Sequence, residues 1–223
     1  DPEVFDTILK LREKGIQFAI ASGRPWASVE HAFEPVKRKI FYVANNGAYV
    51  GCCGRSLYVY SIEQELVHRI IKKVRRYPDL EVVYAGANGD YLESSNERLM
   101  NWLIESYKFN LTRVDDLLGL DEPCVKVSIY KSEGIEAASR DIYEEFKDEL
   151  KMSCAGDMWM DCMAKGVNKG RAIRTIQESL HIKPEETMAF GDQLNDMEML
   201  EQAYYSFAVA NARDEVRKAA RFQ

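Results

Sequence analysis

The sequence predicts an α/β protein with a doubly wound parallel-sheet core that is interrupted by an inserted α+β domain. Three nearly continuous apolar runs, at residues 16–21, 187–190 and 206–210, alternate with helical stretches. This alternation is typical of a parallel sheet covered by helices on both faces. The middle of the chain differs, because residues 124–130 alternate apolar and polar side chains as a strand with one solvent-facing side does.

The first helix is marked at both ends. Asp1 is a suitable N-cap and Pro2 suits the first turn, whereas Gly15 suits the exit toward the first strand. The predicted strand then occupies residues 16–21. Because ligands bind at the carboxyl ends of strands in open parallel sheets, the residues after this strand are the first candidates for a site.

The inserted domain begins with a helix-start signal. Ser61 and Gln64 have the spacing of a capping box, and the apolar residues that follow keep helical spacing until Pro78. Strands at residues 124–130 and 150–154 are expected to have one wet face and to form a largely antiparallel sheet. The predicted domains are a core and an insertion, at residues 1–60 with 156–223 and at residues 61–155, respectively.

Composition and charge exclude several classes of protein. The 223 residues carry 30 basic and 36 acidic side chains, and the net charge of −6 argues against binding to nucleic acid or to an anionic membrane. No apolar run approaches the roughly 18 residues of a membrane span, and the acidic start is unlike a secretory signal. Five cysteines without a CxxC pair indicate reduced thiols. We expect a cytoplasmic monomer or weak homodimer.

Polar residues follow the first predicted strand. Ser22 offers a hydroxyl, Gly23 lets the backbone approach an anion, and Arg24 carries a guanidinium group that fits a phosphate. The same residues before Pro25 are also compatible with an ordinary turn that leads into a helix. By itself, this loop leaves both interpretations open.

An acidic loop follows the strand at residues 187–190. Gly191 permits a sharp turn, which would direct Asp192 and Asp196 into one crevice, with Asn195 between them. Mg²⁺ prefers carboxylate oxygens together with retained waters, so this loop is a candidate metal site. The alternative is a Gly-Asp turn with Asp196 near the start of the next helix.

A lysine begins the helix predicted at residues 169–180. Lys169 opposes the helix dipole in this position, which makes sense when an anion lies at the helix entrance and needs its charge. The alternative is a solvated lysine without a role.

Taken in their order along the chain, these elements resemble the haloacid dehalogenase-like hydrolases, and in particular the Cof-type phosphatases with a C2B cap. The resemblance covers essentially the whole chain, including the place of the insertion, which corresponds to the cap. The segments that carry it are Ser-Gly-Arg-Pro from Ser22, Asn-Gly-Ala from Asn46, Asn-Lys-Gly from Asn168, Gly-Asp-x-x-Asn-Asp from Gly191, and Ala-x-Ala-Asn-Ala around Asn211. It implies a Rossmann-like core and Mg²⁺-dependent phosphatase activity.

The resemblance implies roles for residues of the first two loops. Ser22 would hydrogen-bond the phosphoryl group that is transferred. Arg24 would contact the phosphate or the bound substrate, and Asn46 would bind substrate.

Four residues near the C-terminus are also assigned by the resemblance. Lys169 would steady the nucleophilic carboxylate and the phosphoryl charge, and Asp192 would be a ligand of Mg²⁺. Asn195 would reach substrate oxygens, and Asp196 would support Lys169 or the metal shell. The cation and the lysine would reduce the repulsion between a phosphate dianion and an attacking carboxylate.

The sequence departs from the family in one respect. The family's nucleophile lies in an Asp-x-Asp-Gly-Thr segment at the end of its first strand, and no such segment occurs in the 223 residues. We therefore expect a truncated or incompletely recorded chain, with an aspartyl-phosphate intermediate formed on an aspartate upstream of Asp1. The alternatives are a phosphomutase or phosphotransferase with the same core, and a non-catalytic phosphate-binding protein.

The substrate is expected to be a small phosphorylated metabolite, such as a sugar phosphate or a phosphorylated cofactor. In this family the cap selects the leaving group, and residues 84–91 are the candidate contact loop here. The alternative for this loop is an ordinary hairpin turn in which Gly86 and Gly89 are turn residues.

Overall fold

The computed structural model describes residues 2–223, so the predicted N-cap Asp1 lies outside the described residues. The first core sheet is formed by the strands Ala19–Ala21 (β1), Phe41–Ala44 (β2), Tyr49–Cys52 (β3) and Arg55–Val59 (β4). They lie in the order β1-β2-β3-β4; β1 and β2 are parallel, and the other neighbours are antiparallel. The carboxyl ends of β1 and β2 therefore meet at one edge.

Helices Pro2–Glu13 (α1) and Trp26–Ala32 (α2) pack against this sheet through an apolar cluster. Gly15 ends α1 with a left-handed φ of 80°, and the N–H of Ile16 donates back to the carbonyl of Leu11 at 3.1 Å. This is the hydrogen bond of a Schellman motif. Because Ile16 belongs to the helix end, β1 is shorter than the predicted strand.

The middle of the chain forms a larger sheet with its own helices, at residues 64–164, which we call the insertion. Its strands lie in the order β7-β6-β5-β8-β10-β9, with β6 and β7 parallel and the other neighbours antiparallel. The strands are Glu81–Gly86 (β5), Asp90–Leu92 (β6), Leu111–Arg113 (β7), Cys124–Tyr130 (β8), Leu150–Ala155 (β9) and Trp159–Ala164 (β10). The helices are Gln64–Val74 (α3), Glu97–Tyr107 (α4), Ile135–Ala138 (α5) and Arg140–Phe146 (α6).

Two expectations about the insertion are wrong. Helix α3 begins after Glu63, whose side chain makes no capping hydrogen bond, so the expected capping box at Ser61 is not formed. The expected solvent-facing side of strand β8 is also absent, because its residues are buried on both faces as far as Tyr130. The polar side chains Lys126 and Ser128 are buried because both bond to a carboxylate on β10.

The predicted boundary at residue 155 falls inside a hairpin. Strands β9 and β10 pair along their whole length, so the sheet continues to Ala164. The connection that follows is short and anchored, since the Nζ of Lys151 donates to the carbonyl of Val167 at 3.1 Å. We propose that the second boundary lies in this connection, just before Lys169.

The second core sheet pairs Met188–Gly191 (β11) with Tyr205–Ala208 (β12) in parallel. Three helices pack around it, namely Lys169–Leu180 (α7), Met197–Glu201 (α8) and Asp214–Ala219 (α9). The predicted α/β fold class is confirmed, with its parallel strands in two sheets instead of one. Within residues 2–223, none of the helices combines the length and apolarity of a membrane span.

Candidate active site

The loops after β1 and β2 are bonded to each other. The N–H of Asn46 donates to the carbonyl of Ser22 at 3.0 Å, and the N–H of Asn45 donates to the carbonyl of Arg24 at 2.9 Å. The hydroxyl of Ser22 accepts from the N–H of Arg24 at 3.1 Å, which closes a turn around Gly23. The Arg24 side chain is exposed, so this turn presents a hydroxyl and a guanidinium group at one strand edge.

The turn after β2 has an unusual backbone. Asn45, Asn46 and Gly47 have φ values of 46°, 55° and 99°, in the left-handed region that asparagine and glycine tolerate best. A side chain at Gly47 is excluded, because a Cβ there would lie 2.3 Å from the carbonyl oxygen of Asn168. The turn therefore rests directly on the residue before α7.

A buried ion pair lies at the start of α7. The Nζ of Lys169 is 2.6 Å from Oδ1 of Asp196, and both residues are about 5% exposed. Burial alone would raise the pKa of Asp196, but hydrogen bonds from Lys169 and from the N–H groups of Gln193 and Asp192 lower it below its usual value. Lys169 is thus neither solvated nor unpaired, and Asp196 is the anion at the helix entrance.

The other acid of this loop is differently placed. Asp192 is half-buried, and its Oδ2 accepts a 3.2 Å hydrogen bond from the side chain of the neighbouring Gln193. Residues 2–223 contain no cluster of three or more side chains that could enclose a metal ion. Mg²⁺ often takes one or two carboxylates and keeps several waters, so the Asp192 carboxylate fits it as a single protein ligand. Asp196 is engaged by Lys169 instead.

A hydrogen bond joins the loop after β2 to the loop after β11. The amide Nδ2 of Asn195 donates to Oδ1 of Asn46 at 2.8 Å. Asn46 also approaches the insertion, with its Nδ2 at 4.0 Å from Sδ of Met163 on β10. The structure therefore places all the predicted site residues at one edge of the core, where contacts link them into one group. They are Ser22, Arg24, Asn46, Lys169, Asp192, Asn195 and Asp196.

A narrow cleft separates this edge from the insertion. Trp26, stacked on Tyr49 at 5.4 Å between ring centroids, and Asn45 line its core side. The loop that ends at Asp90 lines the other side. Sequence reasoning named this loop but missed Asn45 and Trp26. The doubled asparagine before Gly47 was the available signal for Asn45, since two asparagines before a glycine favour left-handed backbone.

Comparison with known proteins identifies the family to which the chain belongs. The haloacid dehalogenase-like hydrolase family matches residues 1–223, the full sequence. The chain belongs to the haloacid dehalogenase-like hydrolases. The resemblance expected from the sequence is thereby confirmed.

Individual members of the family extend this result. The chain is 27% identical to the 5-amino-6-(5-phospho-D-ribitylamino)uracil phosphatase of Escherichia coli over 96% of its length and 79% of the relative's. It is 26% identical to a Bacillus subtilis phosphatase of the same description, over 96% and 81% of the two chains. A crystal structure from Eubacterium rectale superposes with a TM-score of 0.92 at 32% identity, covering 100% of this chain and 85% of the other.

The comparisons also identify the class of reaction. The relatives are phosphatases of small phosphorylated compounds, and the matched region covers more than three-quarters of each one. The protein is therefore a phosphoric monoester hydrolase of the haloacid dehalogenase-like family.

Proposed function

We propose that the protein is a Mg²⁺-dependent phosphatase that hydrolyses a small phosphorylated metabolite through an aspartyl-phosphate intermediate. The observation that carries the proposal is the buried Lys169–Asp196 pair at the edge where Ser22 and Asn46 also lie. A buried ammonium group held at a fixed place is suited to stabilise charge that develops on a phosphoryl group.

Each residue of the edge has a chemical task in this proposal. Asp196 holds the Lys169 ammonium group in position through the 2.6 Å contact, so that its remaining N–H groups can face phosphoryl oxygens. The Ser22 hydroxyl donates a hydrogen bond to the phosphoryl group. Arg24 is exposed beside it and can form two parallel hydrogen bonds to a phosphate.

Asp192 is the proposed protein ligand of Mg²⁺. When bound, the ion supplies positive charge that reduces the repulsion between the phosphate dianion and an attacking carboxylate. The attacking aspartate that the family resemblance implies is not among residues 1–223. The roles proposed here therefore belong to the residues that would surround this aspartate. Asn195 and Asn46, already bonded to each other, would orient substrate oxygens at this edge.

The relatives suggest which substrate to test first. Both curated relatives are described as acting on 5-amino-6-(5-phospho-D-ribitylamino)uracil, which carries its phosphate on a polyol chain. We propose this compound and simpler sugar and polyol phosphates as the substrate panel.

The test is phosphate release from this panel in Mg²⁺ and in EDTA, by a parent protein that carries the family's nucleophilic aspartate and by its Asp192→Ala variant. We expect release that EDTA abolishes and that Asp192→Ala lowers by at least about a hundredfold, because removing a preorganised charge at the reacting group commonly costs that much. Asp148→Ala is the matched control, since Asp148 is exposed in a turn of the insertion. Unchanged turnover in Asp192→Ala would refute the metal assignment, and isomerised sugar phosphate in place of free phosphate would indicate a mutase.

A further inference from the structure

Two adjacent cysteines, Cys52 and Cys53, lie at the turn that joins β3 to β4. Cys52 pairs with Arg55 across the hairpin, so Cys53 and Gly54 form a two-residue loop. Both loop residues have φ in the left-handed region, at 57° and 76°, as a type I′ turn requires. Asparagine and glycine are the usual residues with this backbone, whereas a cysteine there is uncommon. The turn therefore contains a residue that its backbone does not favour.

The turn brings the two sulfur atoms together. Consecutive side chains of an extended strand point to opposite faces, which keeps neighbouring side chains apart. Here the backbone of Cys53 is left-handed, and its Sγ lies 3.2 Å from the Sγ of Cys52. The Sγ of Cys53 is also 3.2 Å from the carbonyl oxygen of Arg38, to which the thiol can donate. Cys53 is exposed and Cys52 is half-buried, so the pair is accessible from solvent.

The other three cysteines do not form an accessible pair. Cys124 and Cys162 are fully buried in the insertion. Cys154 is exposed on β9, and no cysteine is adjacent to it in the sequence. Cys154 is therefore a natural control for a single accessible thiol.

A disulfide between Cys52 and Cys53 would be strained. Their peptide bond is trans, which sets the two Cα atoms about 3.8 Å apart, whereas most disulfides span about 4.4–6.8 Å between Cα atoms. Such strain makes a disulfide easier to reduce. Burial raises the pKa of Cys52 to about 11, Cys53 adds to this rise and Arg12 opposes it, so little of the Cys52 thiolate needed for exchange is present near neutral pH. The pair is therefore expected to remain a dithiol.

The positions of the two sulfur atoms also limit which thiophilic centre fits. Structural zinc usually takes four protein ligands, and residues 2–223 contain no group of three or more side chains that could enclose a metal ion. A two-coordinate soft cation places its ligands on opposite sides, whereas these sulfur atoms are nearly in contact. Trivalent arsenic is pyramidal and binds two sulfur atoms on the same side, at close to a right angle. Two neighbouring thiols match this requirement.

We propose that Cys52 and Cys53 form a dithiol site that binds trivalent arsenic compounds as a chelate. An arsenic centre that carries two hydroxyl groups loses both of them in this step. Each thiol sulfur forms a bond to arsenic, one arsenic–oxygen bond breaks for each, and the thiol proton leaves with the hydroxyl group as water. The oxidation states of arsenic and sulfur do not change, so the step needs no oxidant or reductant.

The site is separate from the candidate active site. Strand β3 runs from Tyr49, which lines the cleft beside the insertion, to Cys52 at its other end. The inference therefore does not rest on the proposed function, and its test requires no turnover.

The test is titration of the reduced protein with phenylarsine oxide, whose hydrated form carries two hydroxyl groups on arsenic. Intact-mass measurement gives the stoichiometry, and isothermal titration calorimetry without small thiols gives the affinity. We expect one phenylarsenic group per protein, bound with loss of both hydroxyl groups. Because the second bond of a chelate forms within one molecule, Cys52→Ser and Cys53→Asn should each weaken binding at least about a hundredfold.

The variants distinguish chelation from misfolding. Asparagine tolerates the left-handed backbone of residue 53, so Cys53→Asn should keep the turn, and urea denaturation measures whether it does. Cys154→Ser should bind with the stoichiometry and affinity of the parent. The proposal would be overturned by a parent without an adduct, by equal affinity in Cys53→Asn, or by loss of binding in Cys154→Ser.

A second measurement tests whether the pair stays reduced. The parent is equilibrated with a mixture of reduced and oxidised glutathione in which the reduced form is in excess, then quenched with acid and alkylated. We expect peptide mapping to find both Cys52 and Cys53 alkylated, because a strained disulfide is readily reduced. A stable disulfide between them under these conditions would remove the dithiol and contradict the proposal.

Discussion

The core and the insertion each contain a buried lysine–aspartate pair, and the two pairs differ in what surrounds them. In the core, Lys169 and Asp196 are 2.6 Å apart at a helix start beside a strand exit. In the insertion, Lys126 and Asp161 are 3.1 Å apart in the middle of the sheet, on β8 and β10. The first pair lies at an edge where polar loops converge, whereas the second lies between neighbouring strands.

The two aspartates also differ in the groups that donate hydrogen bonds to them. Asp196 also accepts hydrogen bonds from two backbone N–H groups of its own loop, which fix its position against Lys169. Asp161 accepts its second hydrogen bond from the hydroxyl of Ser128 at 2.6 Å, so its partners come from a neighbouring strand. The same chemical pair thus organises a reactive edge in one region and holds two strands in register in the other.

The largest expected effect on activity concerns the core pair. Lys169→Met should lower kcat/KM for phosphate release by at least about a hundredfold, because it removes a preorganised cation from the site. Steady-state kinetics on the best substrate of the panel would measure this. If Lys169→Met changed thermal stability alone and left kcat/KM as in the parent, the two pairs would be equivalent and the catalytic assignment of Lys169 would fail.

The next effect concerns the insertion pair. Lys126→Met leaves the Asp161 carboxylate buried without its cation and should lower the free energy of unfolding by about 4 kcal/mol. Urea denaturation would measure this loss. Adding Asp161→Leu should restore most of the stability, since replacing both members of a buried pair by apolar residues is often close to neutral. A double variant as unstable as the single one would contradict a purely structural role.

The smallest effect is a pH dependence of stability between about pH 5 and 6.5, to which Asp90 of the insertion contributes and Asp196 of the core pair, whose pKa is lowered, does not. With the pKa of Asp90 raised by burial to about 7, the folded state holds a proton that the unfolded state has lost, so stability falls as pH rises toward 7. Between about pH 5 and 6.5 this amounts to about 2 kcal/mol, at about 1.4 kcal/mol per pH unit.

Asp90→Asn should remove this slope and leave the remaining pH dependence of the protein in place. Urea denaturation of both proteins at several pH values in this range would measure it, with Asp148→Asn as the control for loss of an acidic side chain. Parallel stability curves of the parent and Asp90→Asn would show that Asp90 is ionised in the fold like an ordinary aspartate.

The same comparison shows what the sequence could predict. The helix predicted at residues 169–180 and the strand at 124–130 have those bounds in the structure, because their periodicity and flanking residues are local properties. The order of the loops along the chain also indicated which residues would gather at the edge. The Lys126–Asp161 pair could not be predicted from the sequence. The alternation of apolar and polar residues in β8 indicates that the strand has two different faces, but it does not show whether other parts of the protein cover the polar face.

Other features depend on contacts between distant segments. The hydrogen bond between Asn195 and Asn46 joins residues 149 positions apart, so no local pattern could indicate it. The unpaired oxygen of Asn45 depends on the burial of its side chain, and this burial results from the packing of segments that are distant in the sequence. Likewise, the expected capping box at Ser61 had the right spacing, but the helix begins after Glu63.

The short connection between β10 and α7 has a consequence for building chimeras from related enzymes. Val167 is buried between the core and the insertion, and its carbonyl is held by Lys151 of β9. The next residues, Asn168 and Lys169, begin the helix that carries the proposed catalytic cation. An exchange of insertions between family members should therefore transfer residues through Val167 with the donor sheet and join the recipient at Asn168, so that the incoming sheet keeps its own anchor.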